Sequence, residues 1–293
     1  MNANKIRGII PPMVTPFLPN EDLDTETLRR EVHRLVNAGV DGLSFAGSTG
    51  EGALLHDDEL ALGVSVIREE VGKNFPILCG IIRNSTRDAI SAAEAAKSAG
   101  ADCLMITPTF YHGTDAEGNT AYYKEIYEKI KMPIVIYNVI KNNPIEPSLI
   151  PELKKNPGLI GIKQAVVGVH AVADMVMACG NDLTVFAAQD DVMYLSYLAG
   201  ARGAISAILT LFPDECVAQW QAVLRGDVKE ARHINDRMLP VWRKIEGGAF
   251  PGRIKTALNL KGANVGIARS PILKTNAVAE KAILEAMKAN GFC

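Results

Sequence analysis

The sequence predicts an α/β protein, namely a (β/α)8 TIM barrel followed by a C-terminal helical extension. Short apolar segments alternate with segments of helical periodicity eight times, and the connections between them are short. Regular alternation of this kind indicates a parallel sheet, and eight units indicate a closed barrel. The length of 293 residues is usual for this class of fold.

The strand and helix units follow one another without a clear change in composition. The first strand, residues 8–10, ends at Pro11-Pro12, which provides a rigid exit. The helix after it has apolar residues at helical spacing and a capping residue at Asp24 or Thr25. The predicted strands span residues 8–10, 40–46, 75–82, 101–106, 133–137, 159–163, 183–187 and 202–206. The predicted barrel helices span residues 24–37, 57–71, 85–99, 119–131, 148–155, 169–179, 191–198 and 213–224.

Three further helices are predicted after the barrel, over residues 228–245, 251–260 and 277–289. We therefore expect the catalytic barrel to occupy residues 1–225 and the helical extension to occupy residues 226–293. The units show no strong similarity to one another, which argues against a repeat array.

The composition is that of an ordinary globular protein, with 48% hydrophobic and 22% charged residues. The net charge of −2 lacks the basic excess of proteins that bind nucleic acids or membrane surfaces. No apolar run reaches transmembrane length, and the N-terminus has no signal-peptide core. Five widely spaced cysteines indicate buried, reduced thiols and a cytoplasmic protein. The absence of CxxC and HExxH motifs predicts that there is no metal site.

The segment Leu159-Ile160-Gly161-Ile162-Lys163-Gln164 predicts a buried strand that ends in one lysine. Gly161 and Lys163 share one face, and Ile160 and Ile162 share the other. If the isoleucines face a layer of helices, Lys163 faces the barrel interior and Gly161 leaves space beside it. Lowering a lysine pKa from about 10.4 to about 7 takes roughly 4 kcal/mol, which burial can supply, and Schiff-base lysines arise in this way. The alternative is that Lys163 simply meets water where a strand ends.

Two further features belong to the same rim, because the carboxyl ends of barrel strands carry the active site. Tyr137 ends the strand next to that of Lys163, and neighbouring strands lie about 4.8 Å apart. The segment Gly47-Ser48-Thr49-Gly50 follows the second strand, and its amides and hydroxyls suit a carboxylate. An amine nucleophile, a phenol and an anion site together indicate Schiff-base chemistry on a 2-oxo acid.

Each of these features also has a purely structural interpretation. Tyr137 could be a core tyrosine, and residues 47–50 could be an ordinary turn. The pair Asp190-Asp191 could cap a helix and interact with its dipole. The segment Phe110-Tyr111-His112 could be a plain loop or part of an interface.

The sequence resembles the dihydrodipicolinate synthase / N-acetylneuraminate lyase family of class I aldolases. The segments that carry the resemblance run the length of the chain in the family's order: residues 10–17, Gly47-Ser48-Thr49-Gly50-Glu51, Tyr137-Asn138, Gly161-Ile162-Lys163 and residues 250–255. The resemblance implies the predicted fold and a homotetramer built as a dimer of dimers. It also implies an imine between Lys163 and pyruvate or a related 2-oxo acid, with no other cofactor.

The resemblance assigns roles to further residues. Tyr137 would transfer protons, Ser48 and Thr49 would hold the carboxylate, and the backbone of Ile205 would lie against the pyruvyl group. Asp190, with Asp191, could match an acidic pair that binds polyol hydroxyls in the sialic-acid branch.

The sequence departs from the family pattern at positions that contact the aldehyde half of the substrate. Asn142 stands where the synthases carry an arginine, and neither it nor Lys141 supplies a bidentate fork. Phe110 stands where they carry a relay tyrosine, although Tyr111 could substitute after a shift of one residue.

The departures at Asn142 and Phe110 weigh against a 4-hydroxy-tetrahydrodipicolinate synthase. Ala165 and Ala207, which replace hydroxyl side chains, weigh against an N-acetylneuraminate lyase. We therefore expect an aldolase or dehydratase acting on a 2-keto-3-deoxy sugar acid, with a small 2-oxo acid and an aldehyde as its partners. The alternative of a different class is a barrel that binds a 2-oxo acid without catalysis.

Overall fold

Eight parallel strands form one sheet in the computed structural model, which describes residues 6–293. Their order is β1-β8-β7-β6-β5-β4-β3-β2, so each strand lies beside its neighbour in the sequence and β1 lies beside β8. The strands are β1 (Gly8–Ile9), β2 (Leu43–Phe45), β3 (Ile77–Ile81), β4 (Cys103–Ile106), β5 (Ile134–Asn138), β6 (Leu159–Gln164), β7 (Thr184–Ala187) and β8 (Gly203–Ala204).

The described residues contain α-helices after every strand and three more near the C-terminus. They are α1 (Thr25–Asn37), α2 (Asp57–Val71), α3 (Thr86–Ala99), α4 (Ala116–Ile130), α5 (Ile150–Leu153), α6 (Val169–Cys179), α7 (Met193–Leu198), α8 (Ile208–Leu211), α9 (Pro213–Leu224), α10 (Val228–Ile245), α11 (Phe250–Leu260) and α12 (Ala277–Ala289). Short 3-10 turns cover Gly52–Leu54 and Pro147–Leu149. No described helix is long and apolar enough to cross a membrane.

The segment after β1 closes the barrel against β2. The amide of Ser44 donates to the carbonyl of Pro11 at 2.9 Å, and the carbonyl of Ser44 accepts from Met13 at 2.8 Å. Pro12 and Ser44 form the corresponding parallel bridge. The (β/α)8 barrel predicted from the alternation of elements is therefore confirmed.

Side chains alternate between the barrel interior and the layer of helices. Val135 and Tyr137 of β5 belong to the interior cluster, whereas Ile134 and Ile136 pack in the outer core. Period-two alternation in a strand produces this division. It places the side chain of Tyr137 inside the barrel at the carboxyl end of β5.

The lysine strand departs from the predicted alternation at its start. Ile162 packs in the outer core as expected, but Ile160 packs against the interior cluster. The register between β5 and β6 shifts at this point, since Ile134 pairs with Leu159 and the next residue pairs with Gly161. The bulge leaves Ile160 as an extra residue, so the expectation that Ile160 faces the helices is wrong.

Gly161 is required for a reason other than the one expected. A Cβ atom at Gly161 would lie 2.5 Å from the carbonyl oxygen of Thr184. The glycine therefore lets the backbones of β6 and β7 approach, and it does not leave open space beside Lys163.

Several helix boundaries differ from the sequence prediction. Helix α4 begins at Ala116, ahead of the predicted residue 119, because the Asp115 carboxylate caps it by accepting from the amide of Gly118 at 2.8 Å. The predicted helix 191–198 begins only at Met193. Helix α8 was not predicted, and it inserts one short turn before α9.

Candidate active site

Lys163 and Tyr137 lie side by side at the carboxyl ends of β6 and β5. They are direct partners in the strand register. The Lys163 Nζ atom lies 3.6 Å from the centroid of the Tyr137 ring. Both residues are almost fully buried, at 4% and 5% exposure. The lysine is therefore enclosed against an aromatic face, and the interpretation that it simply meets water does not hold.

Ser48 extends this pair toward solvent. Its Oγ atom lies 3.0 Å from the hydroxyl oxygen of Tyr137, and either group can donate the hydrogen bond. Ser48 is exposed, whereas Tyr137 is buried. A hydroxyl pair thus leads from the buried phenol to the surface of the rim, which is a suitable path for a proton.

The turn after β2 is tightly folded. Ala46 and Glu51 both have left-handed backbones, with φ of 58° and 57°. The carbonyl of Gly47 accepts from the amides of Gly50 and Gly52 at 3.1 and 3.0 Å. These bonds close residues 47–52 into a compact turn.

Adjacent amides at the start of this turn have no internal partner among the described residues. Within residues 6–293, the N–H groups of Ser48 and Thr49 donate to no protein acceptor. Adjacent unpaired amides and the Ser48 hydroxyl form a site suited to an anion. The geometry thus supports the expected carboxylate site at residues 47–50.

Ile205 lies in the barrel interior, in the same apolar cluster as Tyr137. It follows β8, is fully buried, and its amide donates to the carbonyl of Ala187 at 2.9 Å. Ile205 therefore lies in the part of the barrel wall that follows β8, which β1 alone separates from β2. Its backbone contact with a substrate stays a prediction.

Asp190 and Asp191 are engaged with protein groups. The Asp190 Oδ1 atom accepts from the Ser206 hydroxyl at 2.6 Å and from the amide of Ile208 at 2.7 Å. Desolvation of this carboxyl raises its pKa to about 6, although these hydrogen bonds and the Lys163 charge oppose the shift. Asp191 pairs with Arg243 of α10 at 2.9 Å. The two carboxylates thus serve different contacts and do not form one acidic pair.

Phe110 and Tyr111 lie in the loop after β4, where Phe110 is half-buried and Tyr111 is exposed. The amides of both residues donate to Asn84 Oδ1, at 3.0 and 2.9 Å. Asn142 is exposed and donates to the carbonyl of Phe110 at 3.0 Å. Tyr111 is 76% exposed, whereas the Tyr137 hydroxyl bonds to Ser48. Asn142 thus holds the loop, and the loop residues are not part of the Lys163–Tyr137–Ser48 group.

Comparison with known proteins agrees with this architecture. The model of the dihydrodipicolinate synthetase family matches residues 5–290. The chain belongs to this family. This confirms the resemblance seen in the sequence.

Family members of known sequence and structure match almost the whole chain. A 4-hydroxy-tetrahydrodipicolinate synthase of Pseudomonas aeruginosa is 30% identical over 289 residues, covering 98% of this chain and 99% of the relative. One of Caldicellulosiruptor bescii is 29% identical over 279 residues, covering 93% of this chain and 94% of the relative.

Solved structures of the family superpose closely. YagE, a prophage protein of E. coli K12 solved in complex with pyruvate, has a TM-score of 0.93 and 25% identity, covering 98% of this chain and 99% of its own. The chloride-inhibited dihydrodipicolinate synthase of Acinetobacter baumannii, also solved with pyruvate, has a TM-score of 0.94 and 26% identity, covering 98% of this chain and 100% of its own.

A buried ion pair that the sequence did not predict holds the turn after β2 in place. Lys255 Nζ of α11 lies 2.6 Å from Glu51 Oε1, and each side chain is 1% exposed. The second oxygen, Glu51 Oε2, accepts from the amide of Arg269 at 2.8 Å. Helix α11 and the segment after it therefore fix Glu51, which directly follows residues 47–50. Both residues lie in segments that carry the family resemblance, but their separation in sequence concealed the contact.

Thr107 is a second residue that sequence reasoning missed. It follows β4, is 1% exposed, and its Oγ1 atom has no partner among the described residues. A buried hydroxyl without a partner costs free energy unless a ligand supplies one. Its position directly after a barrel strand could have indicated a place in the active site, because active sites lie at the carboxyl ends of these strands.

Proposed function

We propose that the protein is a class I lyase in which Lys163 forms an imine with pyruvate or a pyruvate-like 2-oxo acid. The observation that carries this proposal is the group formed by Lys163, Tyr137 and Ser48, in which a buried amine lies 3.6 Å from a phenol ring whose hydroxyl is 3.0 Å from a serine. Membership of the dihydrodipicolinate synthetase family supports the same chemistry.

The reaction begins with the neutral amine of Lys163, which attacks the C2 carbonyl of the 2-oxo acid. The carbinolamine loses water and becomes a protonated imine. Loss of a C3 proton gives an enamine, whose C3 bonds to the carbonyl carbon of an aldehyde while the aldehyde oxygen gains a proton. Water then hydrolyses the imine and releases a 4-hydroxy-2-oxo acid together with free Lys163. Each step also runs in reverse, so the same site cleaves the C3–C4 bond.

A dehydratase would use the same imine differently. The C3 proton leaves, and the hydroxyl on C4 then departs as water. In both reactions Tyr137 moves protons between the substrate and the Ser48 hydroxyl, with which it already shares a hydrogen bond. The protonated imine is the electron sink, so the proposed mechanism uses no metal and no organic cofactor.

The substrate carboxylate would bind the turn after β2. The amides of Ser48 and Thr49 and the hydroxyl of Ser48 would donate to it, and the backbone of Ile205 would lie against the pyruvyl group. Donors that are fixed before binding lose little freedom when the anion arrives. This arrangement would direct the C2 carbon toward Lys163.

These contacts constrain the aldehyde half of the substrate less than they constrain the 2-oxo acid half. The sequence favours a 2-keto-3-deoxy sugar acid over the substrates of a 4-hydroxy-tetrahydrodipicolinate synthase or an N-acetylneuraminate lyase. The side chains expected to bind polyol hydroxyls, Asp190 and Asp191, are occupied by Ser206 and Arg243. The proposed function therefore specifies the 2-oxo acid half of the substrate. The identity of the acceptor depends on the residues around Ser48.

A barrel that binds a 2-oxo acid without turnover is the competing function. Sodium borohydride separates the two, because it reduces an imine to a stable secondary amine. We expect borohydride to inactivate the protein only when a 2-oxo acid is present. Equal loss of activity with and without the 2-oxo acid would argue against an imine.

A homotetramer also stays a proposal, and light scattering tests it.

A further inference from the structure

A pocket of about 460 Å³ opens beside Ser48 at the rim of the barrel. It is lined by segments that follow β2, β3, β4 and β5 and by residues of the C-terminal region. The volume is within the range of sites for small molecules, roughly 300–1,000 Å³. Its walls therefore define the surroundings of any group that extends from a substrate bound at Ser48.

The walls of the pocket are mainly apolar. Phe110 comes from the loop after β4, and Val139 and Ile140 follow β5. The C-terminal region contributes Ile272 with Pro251 and Pro271. These side chains offer dispersion contacts and no hydrogen-bond donors.

Polar groups in the walls are few, and the pocket lining contains no lysine, arginine or histidine among the described residues. Glu51 reaches the wall, but its carboxylate is held by Lys255 and the amide of Arg269. A carboxylate or phosphate on the acceptor would lose its hydration without gaining a cation. A chain of hydroxyls would likewise lose hydrogen bonds to water with few protein partners in return.

The polar groups that remain lie toward the reaction centre. Ser48 bonds to Tyr137, and Thr107 has a buried hydroxyl without a partner. Both residues line the pocket. An aldehyde oxygen could therefore hydrogen-bond at this end, while the rest of the molecule lies against Val139, Ile140 and Ile272.

We propose that this pocket binds the acceptor half of the substrate and that the acceptor is an aldehyde with an apolar, uncharged chain or ring. The proposal rests on the proposed function, because the occupant must react with an enamine on Lys163. The sequence predicts a sugar-like, polar acceptor. The proposed acceptor is instead apolar, as are the walls of the pocket.

The first experiment compares three aldehydes with equal numbers of carbon atoms: butanal, erythrose and succinic semialdehyde. Each is offered with pyruvate to the wild-type protein, and kcat/KM for the 4-hydroxy-2-oxo acid product is measured. We expect butanal to exceed both others by at least about tenfold, the discrimination typical of apolar pockets. Equal values, or faster reaction of erythrose or succinic semialdehyde, would overturn the proposal.

A pair of adjacent substitutions then locates the selectivity. Ile272→Thr places a hydroxyl in the pocket wall, whereas Leu273→Thr makes the same kind of change at a neighbour that is 80% exposed and outside the lining. We expect Ile272→Thr to reduce the preference for butanal by roughly tenfold and Leu273→Thr to leave it unchanged. Equal effects of the two variants would contradict the assignment of the pocket.

Two further readouts separate the possible failures. Borohydride trapping with pyruvate alone tests the imine without any acceptor, so a positive trap combined with no preference for butanal rejects only the pocket proposal. A negative trap rejects the imine and the pocket proposal together.

A second copy of the chain could also cover the pocket. In that case Ile272→Thr would change the oligomeric state in light scattering without changing selectivity, and the proposal would fail.

Discussion

Glu51 and Lys255 form a buried ion pair, 2.6 Å long, between the turn that follows β2 and helix α11. Among the described residues, the amides of Ser48 and Thr49 in that turn donate to no protein acceptor. The C-terminal helices are therefore part of the support of the candidate site, and they do more than cover the barrel.

Lys255→Met tests this support. The variant leaves the Glu51 carboxylate buried without its counter-ion, and we expect a loss of roughly 3–5 kcal/mol in the free energy of unfolding. Urea denaturation measures it, with exposed Lys274→Met as the matched control, for which we expect a change within about 0.5 kcal/mol. The double variant Glu51→Gln/Lys255→Met should recover part of the loss. A cost below about 1 kcal/mol for the single variant would show that the pair does not hold the turn.

Tyr137→Phe should slow turnover by roughly 10²–10⁴-fold, because it removes the hydroxyl that bonds to Ser48 and moves the proton. The barrel should stay folded, since the ring that contacts Lys163 is kept. Tyr111→Phe is the matched control, and its exposed ring predicts a rate near that of the wild type. A normal rate for Tyr137→Phe with a slow Tyr111→Phe would transfer the proton role to the loop after β4.

Ser48→Ala should raise KM for pyruvate by roughly 10–100-fold, the effect of losing one hydrogen bond to a charged group, about 1.5–3 kcal/mol. We also expect kcat to fall, because the same hydroxyl bonds to Tyr137. Steady-state kinetics with varied pyruvate measure both effects. An unchanged KM would mean that the carboxylate binds elsewhere.

Asp190 should make the stability of the fold depend on pH. Burial raises its pKa to about 6, above its value of about 3.9 in an unfolded chain, so the folded state binds more protons between these values. The free energy of unfolding should therefore fall as pH rises from about 4 to about 6 through this group. Asp190→Asn keeps an acceptor oxygen for Ser206 and should flatten that slope in urea titrations. An identical slope in both proteins would show that Asp190 titrates normally.

The sequence was informative wherever local pattern decides structure. Neighbouring strands with apolar alternation placed Tyr137 beside Lys163, and the pairing of these residues is observed. The same pattern did not predict the bulge at Ile160, because an extra residue in a strand leaves no mark in hydrophobicity.

The local pattern of apolar and polar residues did not predict contacts between segments that are distant in sequence. Asp190 accepts hydrogen bonds from the Ser206 hydroxyl and the amide of Ile208, whereas local reasoning expected it to cap the helix that follows it. Glu51 and Lys255 meet only after the barrel has closed and the C-terminal helices have packed. The apolar pocket likewise combines Phe110, Ile140 and Ile272, which come from different parts of the chain.

The most direct measurement is intact-mass spectrometry after treatment with pyruvate and sodium borohydride, followed by peptide mapping. The proposed mechanism predicts one reduced pyruvyl adduct on Lys163 and none in Lys163→Ala, which should be folded and inactive. An adduct on Lys255, the buried lysine that pairs with Glu51, would contradict the assignment. The absence of any adduct with pyruvate and with larger 2-oxo acids would contradict the imine itself.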